Sequence, residues 1–170
     1  MKFQHFAIPA ALLLVPCQAQ AGVPRRAHDE LAVGHCIRQA AKGNLWLEMT
    51  LWGLRDQEAG QIGTQVQNTN GSYDLGILQI NTSWVPSVAR LVRRSPDQVR
   101  LWLQFDPCFN AETARWIFLT AIGQTGDFWK AVGAYHSPTP WRQRRYAFSV
   151  ANHLRRRYGD RLFLQSHSLP

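Results

Sequence analysis

Apolar residues recur at helical intervals through most of the chain. Leu47, Leu51, Leu54 and then Glu58 step by four, three and four, the spacing that lines one face of an α-helix. This predicts a helix over 45–59, stopped by Gly60. A helix is also predicted over 26–42, closed by Gly43 and Asn44. Ser95-Pro96-Asp97-Gln98 is a start signal, with Ser as cap, Pro at the first helical position and Gln three residues after the cap. It opens a short helix through Leu103. Further helices are predicted over 109–122, 128–135 and 141–158, and Arg93-Arg94 reads as the charged end of an amphipathic helix containing Leu91 and Val92. The periodicity breaks between residues 61 and 76, a stretch rich in Gln, Asn, Thr and Gly. Asn70-Gly71 is the preferred pair for a tight hairpin turn, so short strands are predicted at 65–69 and 72–74, with Gly76 returning the chain to helix. The pattern implies one mainly α (α+β) domain with a small β-hairpin. So polar a hairpin adds little core and is better suited to lining a site.

The first residues read differently. Lys2 and His5 precede an apolar stretch from Phe6 to Val15, Pro16 breaks it, and Ala19-Gln20-Ala21 stands before Gly22. That is the order of a secretory signal peptide, giving 1–21 as leader and 22–170 as the functional domain, exported to a bacterial periplasm or cell-wall space. No apolar run reaches the ~20 residues of a membrane span. Removal of the leader takes Cys17 with it and leaves Cys36 and Cys108. In an exported protein these are a natural disulfide pair, with two buried free thiols as the alternative. The bridge would close 72 residues and contribute about 4 kcal/mol through chain entropy.

Composition narrows the class. With 170 residues, 45% hydrophobic and 18% charged, the chain buries a real core and is not disordered; 12 Gly and 9 Pro exclude a collagen-like chain. The net charge is +8. Much of it lies in Arg142, Arg144, Arg145, Arg155, Arg156, Arg157 and Arg161, interleaved with Trp141, Tyr146, Phe148 and Tyr158. An exported chain with this segment points to an anionic wall polymer or an acidic protein face rather than to nucleic acid, and a merely solvated helix face explains it about as well. The six His show no metal-ligand spacing, and no metal or cofactor is expected.

Glu58 is the first candidate for chemistry. It continues the apolar stripe of its helix and sits in the last turn, where the negative end of the dipole disfavours an anion. Both effects raise a carboxyl pKa, which is what a general acid near neutral pH requires. Spacing alone leaves a solvated helix end as the plainer alternative. Asp74 lies 16 residues on, across the hairpin. A helix end followed by a hairpin brings two carboxyls to opposite walls of one cleft, the pairing that glycosidic cleavage uses. A turn residue bonding its own backbone is the alternative for Asp74.

The segment from Asn68 to Asn81, Asn-Thr-Asn-Gly-Ser-Tyr-Asp-Leu-Gly-Ile-Leu-Gln-Ile-Asn, resembles the hairpin of animal-type lysozymes and the Gly-hydrophobic-hydrophobic-Gln-Ile-Asn motif of bacterial lytic transglycosylases. Gln57-Glu58-Ala59 is similar to the catalytic Glu-Ser pair of the latter, and Ala131 to His136 resembles their Ala-Tyr-Asn motif. Asp106-Pro107-Cys108 recurs in their secretion- and conjugation-associated branch. The resemblance implies a lysozyme-like helical domain that cleaves the MurNAc–GlcNAc bond of peptidoglycan, with Glu58 as acid and then base. The sugar's own C6 hydroxyl would attack, leaving a 1,6-anhydro end without cofactor or external water.

The resemblance also places Gln79, Asn81 and Tyr135 at the substrate cleft, Tyr135 as the residue that helps hold Glu58. The chain departs from the family pattern in three places: Ala59 replaces Ser, His136 replaces Asn, and the pair Ser137-Pro138 replaces a small residue and Gly. His136 is the one His placed to touch substrate, with a hydrogen-bonded group of the cleft wall as the commoner alternative. The family role implied is local wall opening for a secretion, pilus or conjugation apparatus. The rival readings are a muramidase that uses water, with Asp74 as second carboxylate, and a non-catalytic wall-binding assembly protein.

Overall fold

The computed structural model describes residues 25–160. The expected export segment 1–21 and Arg161 of the basic tail lie outside the described residues. The elements run α1 (Arg25–Ala41), α2 (Leu45–Glu58), β1 (Gln65–Gln67), β2 (Tyr73–Leu75), β3 (Ile80–Asn81), a single 3-10 turn (Thr82–Trp84), α3 (Val85–Val92), α4 (Pro96–Phe105), α5 (Pro107–Thr125), α6 (Phe128–His136) and α7 (Pro140–Tyr158). This is a mainly α-helical, lysozyme-like domain with one small sheet.

Local chemistry sets the helix ends. Asn44 caps α2 by accepting from the Leu47 amide at 3.3 Å, and Ser95 caps α4 by accepting from the Gln98 amide at 3.3 Å. The start of α5 comes two residues earlier than the apolar pattern suggests. Asp106 accepts from the amides of Cys108 and Phe109 at 2.9 and 3.0 Å, and Pro107 takes the first helical position.

The core forms around α5, whose Ala111, Ala114, Ile117 and Phe118 are almost wholly buried. Val33 and Ile37 of α1, Leu47, Leu51 and Leu54 of α2, and Val150 and Leu154 of α7 complete it. Each large aliphatic side chain removed from water contributes about 1.5–3 kcal/mol. A disulfide joins Cys36 in α1 to Cys108 in the first turn of α5, with Cα atoms 4.4 Å apart. Trp84 packs edge-on to Trp116, ring centroids 5.6 Å apart, so it braces the core.

The hairpin differs from expectation in two ways. Its connection is a five-residue loop over 68–72 in place of a tight Asn-Gly turn, because the Asn70 side chain accepts from both the amide and the hydroxyl of Ser72. The strands are correspondingly shorter. Nor does Gly76 return the chain to helix. Residues 76–79 form a turn with left-handed backbone at Gly76 (φ +69°) and Gln79 (φ +47°), and the chain adds a third strand, giving the antiparallel order β1-β2-β3. Helix resumes only after residue 81.

Asn110 explains this turn. Buried in α5, it accepts from the Leu78 amide at 3.0 Å and donates to the carbonyls of Leu75 and Leu103 at 2.8 and 2.7 Å. A Cβ on Gly76 would stand 2.2 Å from the Leu103 carbonyl oxygen and 2.5 Å from the Asn110 amide nitrogen, so only glycine fits there.

Candidate active site

Glu58 is the last residue of α2. The next residue, Ala59, has left-handed backbone (φ 51°) that turns the chain away from the helix axis while its amide bonds the Arg55 carbonyl. The Glu58 side chain is thus held at the helix end and mostly out of water. Burial is the main cause that raises its pKa from 4.5 to about 7; the nearby charge of Asp74 adds to the rise, and a hydrogen bond from Tyr146 opposes it. That bond runs from the Tyr146 hydroxyl, in the second turn of α7, to Oε1 of Glu58.

Asp74 occupies the middle of β2, paired with Val66 on one side and Asn81 on the other. The Asn81 amide donates to Oδ1 of Asp74 at 2.7 Å and to the Ser72 hydroxyl at 2.9 Å, while its oxygen accepts from the Ser83 amide at 2.9 Å. Asn81 is therefore engaged in holding Asp74 and the start of the 3-10 turn. The two carboxyl groups stand within electrostatic reach of each other, and both act on the buried phenol of Tyr135, whose pKa is pushed well up mainly by desolvation.

The structure corrects the expected partner of the acid. Tyr135 lies beside Glu58, but its hydroxyl donates to the Leu78 carbonyl at 3.0 Å, because α6 carries it over the 76–79 turn. Tyr146 makes the bond to the carboxyl instead. Gln79 is likewise turned inward: its amide nitrogen donates to the Gly76 carbonyl at 2.8 Å and packs against Gly60. A Cβ on Gly60 would meet that same carbonyl oxygen at 2.1 Å. The loop leaving Glu58 and the turn leaving Asp74 thus touch through glycines, which ties the placement of one carboxyl to that of the other.

His136, at the end of α6, is exposed and lies on Tyr146, with ring centroids 4.6 Å apart and planes 3° apart. Partial burial lowers its pKa; the charge of Asp74 opposes this and that of Arg142 reinforces it. Glu58, Tyr146 and His136 form a continuous contact chain. Of the expected site residues, Glu58, Asp74, Tyr135 and His136 are brought together, whereas Gln79 and Asn81 support the backbone and Asp74. Tyr146 and Asn110 were missed. Tyr146 begins the stripe Tyr146, Val150, Leu154 that faces the core, a pattern that marks it as inward-pointing among the arginines. Asn110 carries no comparable signal in a helix of mixed character.

Two further findings bear on the site. Among the described residues, no group of three His, Cys, Asp or Glu is placed to hold a metal ion, and no helix is long and apolar enough to cross a membrane. No curated protein matches the chain significantly. The transglycosylase SLT domain family does match, over residues 35–151, a span that contains Glu58, Asp74, Tyr135, His136 and Tyr146. Since that match covers well over half of the sequence and takes in the whole constellation, the chain belongs to the transglycosylase SLT domain family.

Proposed function

We propose that this protein is an exported peptidoglycan lytic transglycosylase that cuts the MurNAc–GlcNAc bond and leaves a 1,6-anhydro end. Domains of this family act on peptidoglycan, outside the cytoplasm. The observation that carries the reading is Glu58: a mostly buried carboxyl, bonded by Tyr146 and with its pKa near 7, next to a second carboxyl on the hairpin. Such a group is protonated in about half of the molecules at neutral pH and gives its proton up readily.

In the proposed reaction Glu58 donates its proton to the glycosidic oxygen as the C1–O bond of MurNAc breaks. The GlcNAc side leaves with a new hydroxyl. Charge develops on the MurNAc ring as an oxocarbenium ion, and the negative charge of Asp74 stabilises it. The Glu58 carboxylate then takes the proton of the C6 hydroxyl while that oxygen closes on C1. Glu58 ends protonated, and no water is consumed. Tyr135 and His136 line the site, and Gln79 and Asn81 keep its two walls in register. The biological setting we assign is local wall opening for a secretion, pilus or conjugation machine, in line with the Asp106-Pro107-Cys108 element.

Mass spectrometry of fragments released from purified peptidoglycan tests this, with Glu58→Gln as control. Fragments one water lighter than hydrolysis products, absent with Glu58→Gln, are expected. Reducing ends would make the protein a muramidase and give Asp74 a direct role in water attack. Equal release by both proteins would remove Glu58 as the acid. A folded protein that binds wall and releases nothing would be an assembly factor.

A further inference from the structure

The arginines of α7 divide into two sets. In the C-terminal half, Arg157 grips Asp56 through two bonds of 2.6 and 2.7 Å, Arg155 pairs with Asp160 at 2.7 Å, and Arg156 contacts His153 at 3.0 Å. In the N-terminal half, Arg142 lies over the ring of Trp141, 5.3 Å from its centroid, and neither Arg142 nor Arg145 meets a carboxylate among the described residues. Trp141 itself is 54% exposed.

The unpaired set is the one beside the chemistry. Arg142 precedes Tyr146 by one helical turn and shares its face. Its charge is felt by His136, which stacks on Tyr146, which bonds Glu58. Arg145 is one turn from Arg142, and Trp141 directly precedes Arg142, so the two guanidinium groups and the indole are neighbours on the exposed first two turns of the helix that carries Tyr146.

Like charges placed three residues apart repel each other, and nothing in the described residues neutralises them. The sugars of a glycan strand are neutral, but the peptides carried on MurNAc end in carboxylates. A guanidinium binds a carboxylate through two parallel hydrogen bonds, and an exposed indole packs on a sugar face or an aliphatic side chain.

We propose that Arg142 and Arg145, with Trp141, form a recognition edge for the peptide carboxylates of MurNAc, so that the enzyme selects peptide-bearing glycan over denuded glycan. This rests on the reading of the site as one that acts on peptidoglycan, and it adds which part of the polymer is recognised.

The test is the binding of labelled glycan strands, either carrying their peptides or stripped of them by an amidase, to the full chain bearing Glu58→Gln so that strands stay intact. The peptide-bearing strand should bind about tenfold tighter, as two exposed ion pairs allow, and the preference should shrink as salt rises. Adding Arg142→Ala and Arg145→Ala should abolish the preference, whereas adding Arg90→Ala in α3 and Arg94→Ala just beyond it, the same loss of charge elsewhere, should keep it. Equal affinity for both strands with all arginines present would overturn the proposal and point to an acidic protein as the occupant. Equal loss in the α3 variant would also overturn it, since net charge alone would then account for binding. Cleavage products of the protein with Glu58 intact are scored separately. Their absence would sink the transglycosylase reading and leave the binding comparison standing.

Discussion

The imidazole of His136 lies flat on the phenol of Tyr146, ring centroids 4.6 Å apart, and the phenol in turn donates its hydrogen to Glu58. The family pattern of Asn at this position offers no ring to stack. In this chain the histidine ring stacks on the residue that bonds the acid. His136→Ala is expected to lower kcat roughly fivefold with little change in KM, since stacking of this kind contributes about 1 kcal/mol. His136→Phe should restore most of the loss. A Phe variant as slow as the Ala variant would show that the ring nitrogens, rather than the stack, are needed.

Removing the hydroxyl of Tyr146 has a signed consequence. Its hydrogen bond lowers the pKa of Glu58, against burial and the charge of Asp74. Tyr146→Phe should therefore move the alkaline limb of the pH–rate profile upward from about 7 while lowering kcat roughly tenfold, the scale of a hydrogen bond to a charged group. A limb that stays in place would mean that the titrating group in catalysis is not Glu58.

Glu58 also couples stability to pH. Its folded pKa of about 7 stands above the ordinary 4.5, so the native state binds the proton more tightly than the unfolded chain. The stabilisation this brings is complete below about 4.5 and is lost as pH rises through 7. Glu58→Gln cannot ionise. Relative to wild type it should be equal near pH 4 and more stable by up to about 3 kcal/mol at pH 8, measured by urea denaturation at each pH. A difference that does not vary with pH would show that the carboxyl is solvated in the native state.

Asn110→Ala should be among the most damaging single substitutions outside the apolar core. It strands the Leu78 amide and the carbonyls of Leu75 and Leu103 away from water. A loss of at least about 3 kcal/mol in unfolding free energy is expected. Activity of the remaining folded fraction should drop as well, because the turn it staples follows Asp74.

Replacing both Cys36 and Cys108 with Ser should lower stability by about 4 kcal/mol and leave the pH profile unchanged. The bridge ties α1 to α5 and involves neither Asp74 nor Tyr146, the two side chains that act on the pKa of Glu58. A changed profile would show that the bridge reaches the site.

How much of this was legible in the sequence depends on how local its cause is. The cap at Ser95 and the steps of the stripe leading to Glu58 each have their cause within four residues, and the helices they imply are present; Asn44, read as the close of the first helix, also caps the second. The five-residue hairpin loop escaped because Asn70-Gly71 carries a strong turn preference that the side-chain bonds of Asn70 to Ser72 override. The third strand escaped because its cause, Asn110, sits 32 residues beyond Leu78 and is an ordinary helix residue by every local measure. The family resemblance led to Tyr135, which stands beside Glu58 and bonds the Leu78 carbonyl, and it did not point to Tyr146, which bonds the carboxyl. Which of two phenols reaches a carboxyl depends on the angle at which α6 and α7 cross, a property no motif contains.

The bond between residues 58 and 146 joins parts of the chain that are 88 positions apart. Helices α1 to α6 and the sheet contain both carboxyl groups, the hairpin and the disulfide pair, yet the hydroxyl that bonds the acid stands on α7. The setting of Glu58 is therefore a property of helix packing and not of any one segment. If α7 lifts from α2, every residue of the family motifs is still in place and the acid is loose, so a local opening there detunes the site without dismantling it.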